Sequence, residues 1–557
     1  MPRLALAIPI LLAASLNPNP ATAQEPARLD PQVSRRALEL KSEGERIVAS
    51  IMSESLEPPQ QGGGMHPSPL KSPVDNQVFQ RGPAGLADIA IVLDPAVKDA
   101  KIVDITIQRN SNLNTPLGRY ADGVLRGVPV GIHQISVQYT VGDMAQFSTI
   151  NDVAVGDLWV LAGQSNMEGV GDLEGTRSRN PNGFGSGMMV VEGMVSGGRY
   201  PALFALGMDG RWNPAVEPLH WMVDSPDPVH SGDPATREER SRKEHATRTK
   251  GAGLGIPFAA AVQQATGVPI GLVACAHGGT SMAQWDPKLK DKGGDSLYGS
   301  MIRQVNLAGG RVAGVLWYQG ESDSGDGEAA LFEGAFRNLI AAARSDFHSP
   351  SLPFLYVQIG RFVVAGKDPK GWNRVQEIQR TFVESVPKTA VISVIDLELD
   401  DLIHVGTAGL KRAGARLAKI ALRDVYGFPG ATTPTLEGVS QPSPDRLVVS
   451  FRGVNREAAT RPNAMAIPDR RGGLLPERHV AGFAIRDAEG KDLPLIYEAM
   501  VAPSGTAVVL KLGGPVPPGA SLWYGGGLNP FCNLVDSADM AAPVFGPVSL
   551  DGLPSGR

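Results

Sequence analysis

The sequence contains only two cysteines in 557 residues, Cys275 and Cys532, and they lie far apart along the chain. This number excludes a disulfide-rich scaffold and leaves room for a single bridge. We expect two unpaired, mostly buried thiols. The formal net charge is only −5, and no long basic run with interleaved aromatic residues occurs. A nucleic-acid partner is therefore not expected, and a small neutral ligand fits better.

Several nucleotide and metal motifs are absent as well. There is no Walker motif, and no dinucleotide fingerprint follows the first strand of the α/β region described below. The histidines show no H-x-H or H-E-x-x-H spacing. We therefore expect no metal and no cofactor. No solenoid repeat occurs, and nothing in the sequence indicates an oligomeric state.

Apolar runs long enough to cross a bilayer are also lacking. The N-terminal stretch combines Arg3, the apolar run Leu4–Leu16 and the small-residue site Ala21-Thr22-Ala23. This pattern is typical of a signal peptide, residues 1–23, which is cleaved before Gln24. No cysteine lies near that site, so a lipid anchor is not indicated. We expect an exported protein without a membrane span, either periplasmic or secreted.

Composition divides the chain into several predicted domains. A helix-like stretch and a Gly- and Pro-rich linker span 24–75. From 76 to 152, short β-type segments such as AKIVDITIQ and HQISVQYTV alternate with turns, which predicts an N-terminal β domain. Over 432–557, the segments RLVVSF, GFAIRD, AVVLKL and SLWYGG predict a C-terminal β-sandwich.

The middle of the chain, 153–430, alternates apolar strands with amphipathic helical stretches. The strand candidates are DLWVLA, VPIGLVACA, VAGVLWY, LPFLYVQI and TAVISVID. This alternation predicts an α/β fold with a doubly wound parallel sheet, flanked by the two β domains. A Gly-rich, charged insertion of about 170–252 interrupts it. Its run REERSRKEHATRTK is typical of a solvated face.

Polar motifs follow four of these strands. They are GQSNM, HGGTSMAQW, QGESD and a region that holds Asp396, Asp401 and His404. Ligands of open α/β sheets bind beyond the carboxyl ends of the strands. One edge of the sheet should therefore gather a serine, glycines, an amide, carboxylates and a histidine.

Ser165 of GQSNM has three possible roles: a turn residue, a helix cap or a nucleophile. Met167 replaces the second glycine of the G-x-S-x-G elbow, which disfavours an α/β-hydrolase. Asp401 and His404 are three residues apart, so one helix-like turn can bring the carboxylate to Nδ1. The alternative is a local surface ion pair. Position at a strand end favours a nucleophile with its base and that base's carboxylate.

An oxyanion hole could form from the backbone N–H groups of Ser165, Gly278 and Gly279 together with the side-chain amide of Gln319. The alternatives are a tight turn at the two glycines and a strand-end hydrogen bond at Gln319. His277 fits a structural residue better than a second base.

The blocks GDLWVLAGQSNMEG, CAHGGTSMAQW, VLWYQGESD and DLIHVGTAGL resemble those of SGNH-type carbohydrate esterases, over about 153–425. The similarity is to the sialate O-acetylesterase-like group and carbohydrate esterase family six, and it implies a flavodoxin-like fold. It also implies Ser165 as nucleophile, His404 as base and Asp401 as its orienter. Some family descriptions give the acid role to a glutamate of QGES, here Glu321. The spacing argument favours Asp401 and leaves Glu321 a supporting role.

We therefore predict a serine esterase that removes O-acetyl groups from a carbohydrate, either sialic acid or an acetylated polysaccharide, through an acyl-enzyme. One alternative is a non-catalytic carbohydrate-binding protein. Another is a lipase or thioesterase on the same fold, which needs an extended apolar groove. Trp285 and Trp317 beside the polar motifs leave such a groove open but also suit stacking on a sugar.

Overall fold

The computed structural model describes residues 70–109, 112–116, 118–173, 202–455, 465–468, 474–475 and 479–554. The predicted signal peptide, the helix-like stretch with most of its linker, and residues 174–201 of the insertion lie outside this part of the chain. No helix in the described ranges combines the length and the apolar character that crossing a membrane requires. Cys275 and Cys532 are both free and buried, as predicted.

The N-terminal β segments form strands that pair around a long strand leading to the candidate site. They are β1 (Leu70–Ser72), β2 (Val78–Gln80), β3 (Leu86–Ala90), β4 (Val92–Leu93), β5 (Ala100–Arg109), β6 (Asn112–Pro116), β7 (Arg119–Ala121), β8 (Val124–Pro129), β9 (Gly131–Val141) and β10 (Met144–Gly163). Alternate residues of β9, such as Ile135, Val137 and Tyr139, are buried in a small core of their own.

Strand β10 is 20 residues long and continues from this β region into the middle of the chain. Its first half pairs antiparallel with β9, and Ala154–Gly156 pair parallel with β2. The predicted domain boundary at 152/153 lies inside this strand, next to an irregularity in register between Ile150 and Val153. The division into domains stays a prediction.

The predicted α/β alternation of the middle region is confirmed. Its strands are β11 (Gly171–Asp172), β12 (Leu203–Leu206), β13 (Trp212–Pro214), β14 (Lys250–Ala252), β15 (Ile270–Ala274), β16 (Gly314–Tyr318), β17 (Phe354–Gln358) and β18 (Thr389–Ser393). Its helices are α1 (Ser165–Glu168), α2 (Pro228–Ser231), α3 (Arg237–Thr247), α4 (Gly255–Thr266), α5 (Leu297–Leu307), α6 (Asp326–Asp346), α7 (Lys370–Thr381) and α8 (Thr407–Asp424). Short 3₁₀ helices occur at Met222–Asp224, Pro287–Asp295, Glu321–Asp323 and Phe382–Glu384.

Strands β11 and β14 pair with each other, and the other strands join β10 in a large sheet in the order β13-β12-β15-β10-β16-β17-β18, parallel except for β13. After β10 the chain forms β12, β13 and β15 on one side of that strand, and it then crosses to form β16, β17 and β18 on the other side. The carboxyl end of β10 is therefore the point where the strand order reverses, and such a point opens a crevice in α/β sheets. Ser165 follows that end directly.

The strands are apolar along their whole length because both faces of the sheet are covered, as in parallel sheets generally. Every residue of β15, β16 and β17 is buried. Helix α4 packs against α8, and α6 packs against α7. Helix α4 ends at Thr266 because Gly267 takes a left-handed conformation, φ +70°.

The insertion is not a separate excursion from the sheet. Its strand β12 pairs parallel with β15, and β13 continues the sheet by one antiparallel strand. The insertion thus contributes two strands to the sheet, and its bounds stay a prediction. Helix α3, which carries most of the charge run, has no buried residue, in agreement with the predicted solvated face.

The C-terminal region is built of short antiparallel strands. They are β19 (Thr435–Ser443), β20 (Arg446–Arg452), β21 (Met465–Pro468), β22 (Leu474–Leu475), β23 (Phe483–Arg486), β24 (Asp492–Leu493), β25 (Ile496–Val501), β26 (Ala507–Leu512), β27 (Ser521–Tyr524), β28 (Val535–Asp536) and β29 (Phe545–Ser549). Two sheets, β19-β20-β26-β25 and β24-β23-β27-β29, contribute to one hydrophobic core.

Candidate active site

Ser165 follows a point where two strands, β10 and β16, approach each other closely. At the end of β10, Gly163 has φ +133°, and a Cβ there would lie 2.2 Å from the carbonyl oxygen of Tyr318. Only glycine fits between β10 and β16 at this position. The Gln164 N–H then bonds the Tyr318 carbonyl oxygen at 2.8 Å, and α1 begins at Ser165.

The hydroxyl of Ser165 takes neither of the two structural roles considered for it. Gln164 occupies the cap position of α1, and no side chain caps that helix. Instead, Ser165 Oγ lies 2.9 Å from His404 Nε2. The structure therefore connects the serine with the histidine, which lies 239 residues later in the chain.

Asp401 and His404 meet within the loop after β18. His404 Nδ1 lies 2.7 Å from Asp401 Oδ2, while Asp401 Oδ1 accepts the N–H groups of Ile403 and His404 at 2.9 Å each. Partial burial raises the pKa of Asp401, but the hydrogen bonds from the His404 ring and from the two N–H groups outweigh it and lower that pKa to about 2. The carboxylate is thus ionised and keeps the proton on Nδ1, which leaves Nε2 free to accept the Ser165 hydroxyl proton.

Glu321 makes no hydrogen bond to His404 and instead accepts one from Asn166. Asn166 Nδ2 donates to Glu321 Oε1 at 2.9 Å, and Asn166 Oδ1 accepts the N–H of Val405 at 3.0 Å. Burial raises the pKa of the Glu321 carboxyl, and the bond from Asn166 opposes that shift. Glu321 thus supports the loop that carries His404 indirectly, through the side chain of Asn166.

The predicted role of Gln319 as an oxyanion donor does not fit the structure. Its side chain is fully buried, and Nε2 donates to the carbonyl oxygen of Thr280 at 3.0 Å and also to Asp323. Both amide protons are therefore used inside the protein. Gln319 instead ties the turn after β16 to the turn after β15.

The predicted role of the Gly278 N–H as an oxyanion donor does not fit the structure either. This N–H donates to Glu168 Oε2 at 3.0 Å, so it is not free to bind an oxyanion. The N–H of Gly279 and the N–H of Ser165, which begins α1, have no acceptor in the described part of the chain. Of the four predicted donors, these two remain.

Trp285 and Trp317 are completely buried and pack edge to face at 5.2 Å. They form core and not a sugar-stacking surface. His277 bonds inward, as expected of a structural residue, with its Nδ1 3.0 Å from Nδ1 of His230. Asp396, also near the motif, pairs with Arg416.

Three residues of the site escaped prediction. Asn166 and Glu168 stand in the GQSNM-E-G block, and their polar character so close to Ser165 on a buried helix was an available signal. Arg248 belongs to the charge run assigned to solvent, yet it turns inward, and its Nη2 lies 3.5 Å from Glu168 Oε1. The described residues hold no group of three or more His, Cys, Asp or Glu side chains arranged for a metal ion.

Known proteins share this architecture. A family model described as carbohydrate esterase, sialic acid-specific acetylesterase, matches residues 155–423. A protein of Arabidopsis thaliana described as a probable carbohydrate esterase is 31% identical over 211 residues, which make up 36% of this chain and 68% of that protein. The crystal structure of a carbohydrate acetylesterase from Xanthomonas citri has a TM-score of 0.56 and 23% identity, covers 85% of this chain and 97% of its own, and shows a shared fold.

The matched region contains all four motifs of the site, from the strand that precedes Ser165 to the helix that follows His404. The chain belongs to the carbohydrate esterases, and it is a carboxylic ester hydrolase.

Proposed function

We propose that this chain is a serine esterase that removes O-acetyl groups from a carbohydrate through an acyl-enzyme. The observation that carries the proposal is the hydrogen-bonded series from Ser165 Oγ through His404 to the ionised Asp401. An attacking hydroxyl, a base within 2.9 Å and a carboxylate that fixes the base are the parts that nucleophilic acyl transfer needs.

In the first half of the reaction, Ser165 Oγ attacks the carbonyl carbon of the acetyl ester, and His404 Nε2 takes the hydroxyl proton. Charge develops on the carbonyl oxygen. The free N–H groups of Ser165 and Gly279 are the donors that would stabilise it. His404 then returns the proton to the sugar oxygen, which leaves as an alcohol.

In the second half, a water molecule replaces the sugar. His404 takes a proton from this water, the hydroxide attacks the acetyl-serine, and acetate leaves as the proton returns to Ser165. Asp401 stays ionised throughout and stabilises the imidazolium. Each step uses residues that the structure already brings together.

The substrate would be an acetylated sialic acid or an acetylated polysaccharide, in line with the family description.

We further propose that the central sheet is an SGNH-type catalytic domain between two β domains. Export to the periplasm or medium follows from the predicted signal peptide, and the mature chain should begin at Gln24. N-terminal sequencing of the exported protein tests this.

Replacing the nucleophile tests the activity. Ser165→Ala should keep the fold and lose hydrolysis of p-nitrophenyl acetate, and a fluorophosphonate should label wild type at Ser165 alone. Ser443→Ala, at the end of strand β19 in the C-terminal region, is the matched control and should behave as wild type. Most of the activity persisting in Ser165→Ala would refute the proposal. A wild-type protein that hydrolyses no ester would favour the carbohydrate-binding alternative.

Acetate release from acetylated xylan, acetylated pectin and O-acetylated sialic acid, measured side by side, identifies the substrate class. Release from the sialic acid alone would place the protein with its family description. Release from a polysaccharide alone would assign the same chemistry to a polymer.

A further inference from the structure

Glu168 connects the helix of the nucleophile with the turn that carries the free N–H of Gly279. Its Oε2 accepts the N–H of Gly278 at 3.0 Å. Gly278 in turn lies against Ser165, because a Cβ on Gly278 would be 3.4 Å from Ser165 Cβ. Any movement of the Gly278 N–H therefore moves the neighbouring Gly279 N–H relative to the reacting serine.

A cation from the insertion faces the same carboxylate. Arg248 Nη2 lies 3.5 Å from Glu168 Oε1. Arg248 is itself fixed, since its Nη1 donates to Glu244 Oε1 at 3.0 Å and to the carbonyl oxygen of His220 at 2.8 Å, and its guanidinium lies over the ring of Trp221. The insertion thus presents one partly buried positive charge to the active-site helix.

We propose that Glu168 is a positioning residue whose negative charge, maintained by Arg248, holds the Gly278–Gly279 turn in place to bind the oxyanion. The inference rests on the proposed function and extends it to two residues outside the series Ser165–His404–Asp401. It also gives the insertion a task in the reaction.

The charge of Glu168 changes near neutral pH. Burial raises the pKa of its carboxyl to about 7, against the opposing effects of Arg248 and of the Gly278 N–H, while Glu244 adds to the rise. An ionised acceptor makes a hydrogen bond about twice as strong as a neutral one. The turn should accordingly be held more firmly above pH 7 than below it.

Besides Arg248 and Glu244, three titratable groups of the described part of the chain lie around Glu168. Burial lowers the pKa of His220 to about 4 and also lowers that of His277, so neither carries a charge near pH 7. Glu217, which bonds the N–H groups of Gly253 and Leu219, has its pKa raised by burial to about 7 and lies near Arg248. Glu217 has no bond to the 278–279 turn.

The test is the ratio of kcat of wild type to kcat of Glu168→Gln across pH, with p-nitrophenyl acetate. Glutamine keeps an acceptor oxygen but never ionises, so it imitates protonated Glu168. Above pH 8 the variant should be about tenfold slower, as loss of one charge-assisted bond predicts, with KM changed less than about twofold. Below pH 6 the ratio should shrink to about two, with a midpoint near 7.

Glu217→Gln is the matched control, a buried carboxylate with a similarly raised pKa and no contact with the turn. Its kcat ratio to wild type should stay constant with pH. A second pair of variants leaves Glu168 in place. Arg248→Met should move the acid side of the kcat profile up by about one pH unit, and Arg248→Lys should restore it.

A ratio for Glu168→Gln that is constant with pH, or one matched by Glu217→Gln, would overturn the inference. If Glu168→Gln does not fold, the two Arg248 variants decide, and an unchanged profile in Arg248→Met is then the refuting result. Failure of the proposed function looks different, since wild type itself would then not turn over the ester.

Discussion

Asn166 binds Glu321 through its amide nitrogen, at 2.9 Å, and with the oxygen of the same side chain it accepts the N–H of Val405 at 3.0 Å. The residue next to Ser165 therefore fixes the segment that follows His404. The Glu321 carboxylate therefore positions the loop next to His404 through Asn166, whereas the Asp401 carboxylate bonds the histidine ring itself. The two acids of the site thus have separable effects on the reaction.

Asp401→Asn should retain the fold and lower turnover by about ten-thousandfold, because the amide favours the wrong tautomer of His404. Ser165 should also react poorly with a fluorophosphonate. Glu321→Gln should lower turnover by about a hundredfold, as expected for misplaced rather than missing groups, and keep more of the labelling. Turnover and labelling rates of both variants check this. If Glu321→Gln is the more severe on both measures, Glu321 is the acid of the triad.

Arg416→Met should destabilise the protein by about 3 kcal/mol, because it removes the bidentate partner of buried Asp396 and leaves only the single bond from Arg412. Arg416 is fully buried, with bonds to Asp396 of 2.7 and 2.8 Å. Arg452→Met is the control, since the pair Arg452–Glu384 is exposed and should contribute less than about 1 kcal/mol. Urea unfolding measures both. Equal shifts in the two midpoints would contradict the prediction.

Protonation of His220 should destabilise the protein in acid. Burial lowers the pKa of its imidazole to about 4, while the unfolded chain binds that proton near pH 6.5. The free energy of unfolding therefore decreases as the pH falls through this interval, by on the order of 3 kcal/mol for this group alone. His220→Asn keeps a donor for the carbonyl oxygen of Glu168 but cannot titrate.

The difference in unfolding free energy between wild type and His220→Asn isolates this residue, because the raised pKa values of Glu168 and Glu217 act in the opposite direction in both proteins. This difference should change between pH 6.5 and 4 and be constant above pH 7.5. A difference that does not vary with pH contradicts the assignment.

Acetyl esters should be hydrolysed at least about tenfold faster than butyryl esters, since a pocket matched to an acetyl group rejects added methylenes. This expectation rests on the family to which the chain belongs. A series of p-nitrophenyl esters from acetyl to octanoyl, compared by kcat/KM, measures it. Octanoyl esters as the best substrates would support the lipase or thioesterase alternative.

The motifs of the candidate site could be found from sequence because each follows an apolar run, and parallel strands end at one edge of their sheet. Asp401 could be assigned because it lies three residues from His404, so local geometry alone brings their side chains together. These inferences needed no knowledge of distant contacts.

The parts that escaped prediction all depend on tertiary packing. Gln319 has the chemistry of an oxyanion donor, but its neighbours in the fold, Thr280 and Asp323, accept hydrogen bonds from its side-chain amide. Arg248 is one charged residue among many in its run, and only its tertiary contacts with Glu168, the His220 carbonyl oxygen and the Trp221 ring orient it inward. Strand β12 lies within a Gly-rich insertion, where its pairing with β15 leaves no periodic signal.

The position of Ser165 depends on two regions of the chain, because the 20-residue strand β10 that precedes it belongs to both. Its amino half belongs to the β region through β9, and its carboxyl half is the centre of the parallel sheet. A chain that begins at residue 153 would sever this strand and leave the half that ends in Gly163 without its continuation. The catalytic region is therefore not a transferable module, and a functional transplant into another protein has to carry the preceding strands with it.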